Sequence, residues 1–277
     1  MELQTEWITY PAAGTVVPAY TARPRAVQEP LPAIIVIQEV WGVDDHIQDL
    51  VHRFATAGYV AAAPDLYAHG GERATVFAPE RVAAVKRTYD MTPAVASRDP
   101  AAREAAFAWL PEGERAAAVE TADAVFSPDR PVARYSADIA ALAVFLRGNA
   151  GCNGRVGSVG YCFGGLLSAL LAGSDPELRA AAIYYGHAPA PAAIRTARCP
   201  IMGFYGADDV RVTSGVPALE QTLREAGVPF EAHVYPGAPH AFFNDTRPSY
   251  RVDAARDAWA RTLAFFAREL GGVAGER

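Results

Sequence analysis

Gly157-Ser158-Val159-Gly160-Tyr161-Cys162-Phe163-Gly164-Gly165 carries an apolar run into Gly-x-Cys-x-Gly-Gly, and Leu166, Leu167, Leu170 and Leu171 follow at helical spacing. A strand, a sharp reversal and a helix are expected in that order, with Cys162 at the apex. Glycines two positions to either side let the strand and the helix approach closely. Serine is the usual residue at the apex of such an elbow.

Upstream, Ala33-Ile34-Ile35-Val36-Ile37 suits a parallel strand buried on both faces, and it ends in Gln38-Glu39-Val40-Trp41-Gly42. A helix is expected over 44–57, with Asp44 and Asp45 complementing its N-terminal dipole and Gly58 stopping it. Tyr59 to Tyr67 reads as the next strand and its exit loop, so strand, helix and strand form a right-handed parallel unit. Before these, 6–10 and 16–21 bracket Ala13-Gly14 as short strands at a sheet edge, because prolines interrupt them. Between 70 and 130, Ala, Arg and Glu dominate blocks separated by Pro93, Pro100, Pro111, Gly113 and Pro128. Two or three short helices are expected there, either covering the active-site end of the sheet or forming a plain surface insertion.

A helix over 133–147 leads into the elbow strand, 155–161. Downstream, 180–186 and 201–206 read as buried strands ending in glycine, followed by a helix over 213–226. Residues 230–236 alternate like a strand nearer the sheet edge. A last helix over 251–270 places Val252, Ala255, Trp259, Leu263, Phe266 and Leu270 on one face. No internal repeat or linker interrupts this order. The expectation is one doubly wound, mostly parallel α/β domain over 1–277, with a helical insertion at about 70–130.

Composition narrows the function. Of 277 residues, 51% are hydrophobic and 20% charged, enough for a full core. A formal charge of −6 without any basic run argues against a nucleic-acid partner. Lys86 is the only lysine, which leaves little room for Schiff-base chemistry. No apolar stretch reaches the roughly 18 residues a membrane span needs, and the N-terminus lacks a signal-peptide core, so a soluble cytoplasmic protein without membrane contact is expected. Cys152, Cys162 and Cys199 are an odd number without metal-ligand spacing, which predicts reduced thiols and no metal site.

A cysteine thiol titrates near pH ~8.5 when unperturbed, so a nucleophilic one needs a base beside it. In a doubly wound sheet that base comes from another strand end on the carboxyl side. Asp208 and Asp209 follow one strand, and His240 sits in the Gly/Pro-rich loop after the last one. Taken singly, His240 could be a loop histidine, either aspartate a helix cap, and Cys162 a small core residue. Together they follow the order nucleophile, acid, histidine used by the α/β-hydrolase scaffold.

With these residues in place, the chain resembles the dienelactone hydrolase family of the α/β-hydrolase superfamily. The resemblance rests on Gln38-Glu39-Val40-Trp41-Gly42, Pro64-Asp65-Leu66-Tyr67, Gly160-Tyr161-Cys162-Phe163-Gly164-Gly165, Tyr184-Tyr185-Gly186, Gly206-x-x-Asp209 and His240-Ala241-Phe242, spanning about 5–270. It implies a Cys162–His240–Asp209 triad hydrolysing a small ester or lactone, with no cofactor. Asp209 is preferred to Asp208 on the family's Gly-x-x-Asp pattern. The resemblance also implies that Glu39 pairs with the resting thiol and takes its proton when substrate arrives. Backbone N–H groups of Val40 and Phe163 are the expected oxyanion hole.

Departures concern the substrate. Where the family holds its substrate's carboxylate with two arginines, this chain has His69 and Asn244, with Arg73 and Arg247 close enough in sequence to substitute. Trp41, Tyr67, Tyr185 and Phe242 are the expected aromatic lining. The alternative is a non-hydrolytic protein of this fold that binds a ligand or senses oxidants through Cys162; a peptidase or acyltransferase is a third reading. A monomer or homodimer is expected.

Overall fold

The computed structural model describes residues 1–92 and 99–271. A hairpin opens the chain: β1 (Leu3–Ala12) and β2 (Thr15–Pro24) turn at Ala13 and Gly14, both at positive φ. Of these two, only β1 lies at the sheet edge. β2 pairs antiparallel with β1 on one side and with β4 (Val60–Pro64) on the other, which corrects the expectation that prolines keep both strands at the edge. Pro18 is tolerated because β2–β4 pairing begins one residue later, at Ala19↔Pro64, and its carbonyl still accepts from Asp65 N–H at 2.8 Å.

β3 (Leu31–Ile37) is buried at every position and leads into α1 (Asp45–Thr56). Asp44 caps that helix by accepting from Ile47 N–H at 3.1 Å. Ile47, Leu50, Val51 and Phe54 are fully buried beneath the sheet, each contributing about 1.5–3 kcal/mol, which a twelve-residue helix of little intrinsic stability requires. After β4 the excursion forms a 3₁₀ turn (Thr75–Phe77), α2 (Pro79–Met91), α3 (Pro100–Ala106) and α4 (Glu112–Val125). Residues 93–98, Pro93 among them, lie outside the described residues. α5 (Val132–Gly148) returns the chain to β5 (Cys152–Tyr161) and the elbow.

The remainder alternates as α6 (Phe163–Ser174), β6 (Ala180–Tyr184), α7 (Pro191–Ile194), β7 (Ile201–Gly206), α8 (Val210–Thr213), α9 (Val216–Glu225), β8 (Phe230–Tyr235) and α10 (Val252–Leu270). The single helix expected over 213–226 is two, broken at Ser214–Gly215, because Pro217 restarts the helix within its first turn. On α10 the buried face is Ala255, Ala258, Thr262, Phe265, Phe266 and Leu270. Val252 is exposed, and Trp259 and Leu263 only flank this face.

The eight strands run in the order β1-β2-β4-β3-β5-β6-β7-β8, parallel from β4 to β8. One core, with α1 and α10, covers one face; the other, with α5, α6 and α9, covers the opposite face. The strand order reverses between β3 and β5, so the loops carrying Glu39 and Cys162 leave the sheet at its topological switch point, where such sheets place ligands. No helix among the described residues is long and apolar enough to cross a membrane.

Candidate active site

Cys162 stands between β5 and α6 with φ 55° and ψ −114°, a conformation that costs a non-glycine residue about 1–3 kcal/mol. Two glycines make the bend possible. A Cβ on Gly160 would collide with the Gly164 carbonyl, and one on Gly164 with the carbonyls of Ile37 and Gln38. The sheet holds the bend open: Cys162 N–H donates to Tyr184 O at 2.9 Å, one residue beyond the paired strand.

His240 Nε2 lies 3.1 Å from Cys162 Sγ, and His240 Nδ1 lies 2.5 Å from Asp209 Oδ2. Asp209 opens α8 but does not cap it with its side chain; the carboxylate goes to the imidazole instead. Its neighbour Asp208 is exposed, while the Asp208 N–H donates to Ala238 O at 3.0 Å and ties the acid loop to the histidine loop. Ala241 holds φ 58° directly after the histidine, and Phe242 and Phe243 bury beneath it. Burial alone would lower the His240 pKa. Charge and hydrogen bonding from Cys162 and Asp209 outweigh that and push it up to about 10.

A cavity of about 820 Å³ opens over this chain of three groups. Val40, Trp41, Phe163 and Tyr185 line it, and Tyr185, at φ 39°, packs edge-on against His240 at 5.2 Å between centroids. The N–H of Phe163, first residue of α6, has no carbonyl within its own helix to reach, which leaves it available as an oxyanion donor.

Other expected lining residues do not face the cavity. Tyr67 is buried, stacked on Phe77 at 4.1 Å, and donates its hydroxyl to Val40 O at 2.7 Å. It anchors the loop that carries Val40. His69 faces Asp138, with Nδ1 3.0 Å from Oδ1, because α5 brings that buried carboxylate beneath it. Phe242 is core, packed between Tyr185 and Tyr235. Asn244 is fully buried and donates from Nδ2 to Glu39 Oε2 at 2.8 Å.

Glu39 is also buried, and the thiol does not rest on it. Sγ is turned to His240, while Glu39 is held by Asn244. Of the two nearby arginines, Arg73 is bound to Asp65 at 2.6 Å outside the cavity, and Arg247 lines it. Arg247 lies over Trp41 and Tyr89 and pairs with Asp90 of α2 at 2.6 Å.

Sequence reasoning missed the cavity's other half. Tyr89, Phe126 and the Arg103–Asp123 ion pair come from the excursion, which therefore covers the active-site end. Arg130 lies over the Phe163 ring at 4.2 Å, and Arg211, His187 and Leu166 complete the mouth. Burial and then the nearby Arg211 charge lower the His187 pKa. Arg211 and His187 were within reach of the sequence, since each closely follows a strand end; the excursion residues carried no such signal.

The dienelactone hydrolase family model matches residues 17–270. A provisionally named dienelactone hydrolase from Klebsiella pneumoniae superposes with a TM-score of 0.73 at 31% identity, covering 97% of this chain and all of that one. The chain belongs to the dienelactone hydrolase family. Relatives provisionally named carboxymethylenebutenolidases include one from Escherichia coli K12, 31% identical over 95% of this chain and 86% of its own length. Another, from Saccharolobus solfataricus, is 32% identical over 94% of this chain and 97% of its own length. As a member of this family the protein is a hydrolase with the α/β-hydrolase fold, acting on small molecules. Among the described residues no group of side chains is arranged to hold a metal ion.

Proposed function

We propose that the protein hydrolyses small carboxylic esters or lactones by acyl transfer through Cys162. The observation that carries this is the unbroken chain Asp209–His240–Cys162, whose His240 and Cys162 line the cavity. Cys162 Sγ attacks the substrate carbonyl, and the developing oxyanion is met by the N–H groups of Phe163 and Val40. His240 gives its proton to the leaving alkoxide, then activates water against the thioester, with Asp209 holding its orientation. Glu39 is the acceptor that converts thiol to thiolate as substrate enters; Sγ against His240 is the armed arrangement.

Arg130, Arg211 and Arg247, which line the cavity in a chain of formal charge −6, favour a substrate with an anionic group beside its ester. Arg247, rather than His69 or Asn244, is then the principal candidate to hold it. Brief exposure to a p-nitrophenyl ester or to iodoacetamide, followed by mass spectrometry, should place a single adduct on Cys162. Burial pushes the Cys152 and Cys199 thiols up to about 11 and about 12, out of competition. An adduct on either of those, or full esterase activity in Cys162→Ala, would defeat the reading. A protein inert toward esters and lactones whose Cys162 is lost to mild peroxide would instead be the oxidant sensor.

A further inference from the structure

We propose that Asn244 is the positioning residue that orients Glu39 as the proton acceptor for Cys162. The inference rests on the reading of Glu39 given above. Asn244 is fully buried, and its orientation follows from its neighbours. Thr246 N–H donates to Oδ1 at 3.1 Å, and Thr246 Oγ1 approaches the same atom at 2.7 Å. A backbone N–H can only donate, so the atom facing it is the carbonyl oxygen, and the amide nitrogen must face Glu39. Nδ2 then donates to Glu39 Oε2 at 2.8 Å.

This single hydrogen bond fixes which oxygen is free. Glu39 is 1% exposed, so its carboxylate is oriented by a protein donor and not by bulk water. The amide occupies Oε2, and Oε1, which has no hydrogen-bond partner among the described residues, is the oxygen left to react. In the step itself the S–H bond of Cys162 breaks, an O–H bond forms at Glu39 Oε1, and the electron pair stays on sulfur.

The other groups that sense Glu39 do not replace the amide. Tyr161, at the end of β5, and Tyr185, after β6, are buried phenols whose hydroxyls are unpartnered among the described residues. Arg247 lies within reach of the Glu39 charge but is hydrogen-bonded to Asp90. Cys162 is turned to His240. Asn244 alone among them donates a hydrogen bond to the carboxylate.

Steady-state hydrolysis of p-nitrophenyl acetate, together with iodoacetamide alkylation, tests this in Asn244→Leu, Glu39→Gln and the double variant. Asn244→Leu removes the donor and should lower kcat/KM about tenfold, the size of one hydrogen bond to a charged group, with KM unchanged. The double variant should be no slower than Glu39→Gln alone, because the amide acts only through the carboxylate. A merely structural role would instead multiply the two losses. Multiplied losses, or an Asn244→Leu as fast as wild type, overturn the proposal. Should Asn244→Leu not fold, Asn244→Ala decides by the same cycle. If Glu39→Gln keeps wild-type kcat/KM and alkylation, the reading of Glu39 fails instead.

Discussion

Asp209→Asn isolates the contribution of one charge to this site. Asp209 is buried and its Oδ2 lies 2.5 Å from His240 Nδ1, whereas Asp208 is exposed and touches neither partner. A hydrogen bond between charged groups contributes about 1.5–3 kcal/mol, or about tenfold to somewhat over a hundredfold in kcat/KM. The amide adds a second penalty. Its N–H₂ can donate to Nδ1, which forces the imidazole proton onto Nε2, the atom that faces Cys162 Sγ. That is the wrong tautomer for a base, and in triads of this kind the combined loss reaches on the order of 10⁴-fold. The expected drop for Asp209→Asn is therefore on the order of 10²- to 10⁴-fold, with Asp208→Asn within about twofold of wild type. Steady-state hydrolysis of p-nitrophenyl acetate measures it, with thermal melting to show that both variants fold. If Asp209→Asn keeps a third of the activity, or Asp208→Asn loses more, the acid has been assigned to the wrong carboxylate.

Three further outcomes follow from the same geometry. His240 is raised to about 10, so its acid form persists above neutrality and is lost as pH rises through that value. An alkyl ester, whose leaving group needs that proton, should show an alkaline limb near pH 10 that a p-nitrophenyl ester lacks; a limb near 7 contradicts the pairing. Tyr67→Phe keeps the stacking on Phe77 but strips the buried Val40 carbonyl of its donor. Stability should fall by about 1–3 kcal/mol, seen as a drop of several degrees in Tm, with kcat reduced and KM held. Arg247→Gln should raise KM about tenfold or more for an ester bearing a carboxylate and leave a neutral ester of equal size nearly unchanged, as paired assays would show.

The sheet was legible because its buried parallel strands are short apolar runs, β-branched in β3 and rich in alanine or aromatics in β4, β6 and β7. The elbow was legible because Gly160 and Gly164 are obligatory where backbones nearly touch. Pro18 misled because a proline in a strand suggests an edge, while pairing to β4 starts just past it. The break between α8 and α9 was signalled by Pro217 but hidden by apolar residues that keep helical spacing across it. Asn244 was the most instructive departure. Its place in sequence, soon after His240, pointed to the substrate, yet the loop turns inward there and delivers it to Glu39. Arg73 and Arg247 were equivalent in the sequence; only tertiary structure sends one to Asp65 and the other to the cavity. For α2–α4 the sequence left two readings open, a cover over the active-site end or a plain surface insertion, since a polar helical pattern does not say what the helix covers.

The hydrogen bonds that continue the ladder past the strand ends have a consequence for the timing of motion. Cys162 N–H and Tyr185 N–H are bonded to the neighbouring strands' carbonyls, Tyr184 O and Phe204 O, at 2.9 and 2.8 Å. Their exchange with solvent requires the central strands to separate, which amounts to global unfolding. The opposite wall is fastened differently. α2 packs Val82 and Val85 into the core and is tied to the loops above the sheet by the side-chain pairs Lys86–Asp44 and Arg247–Asp90. The reacting atoms thus take their alignment from the backbone ladder of the sheet, and the wall above them takes its position from side chains.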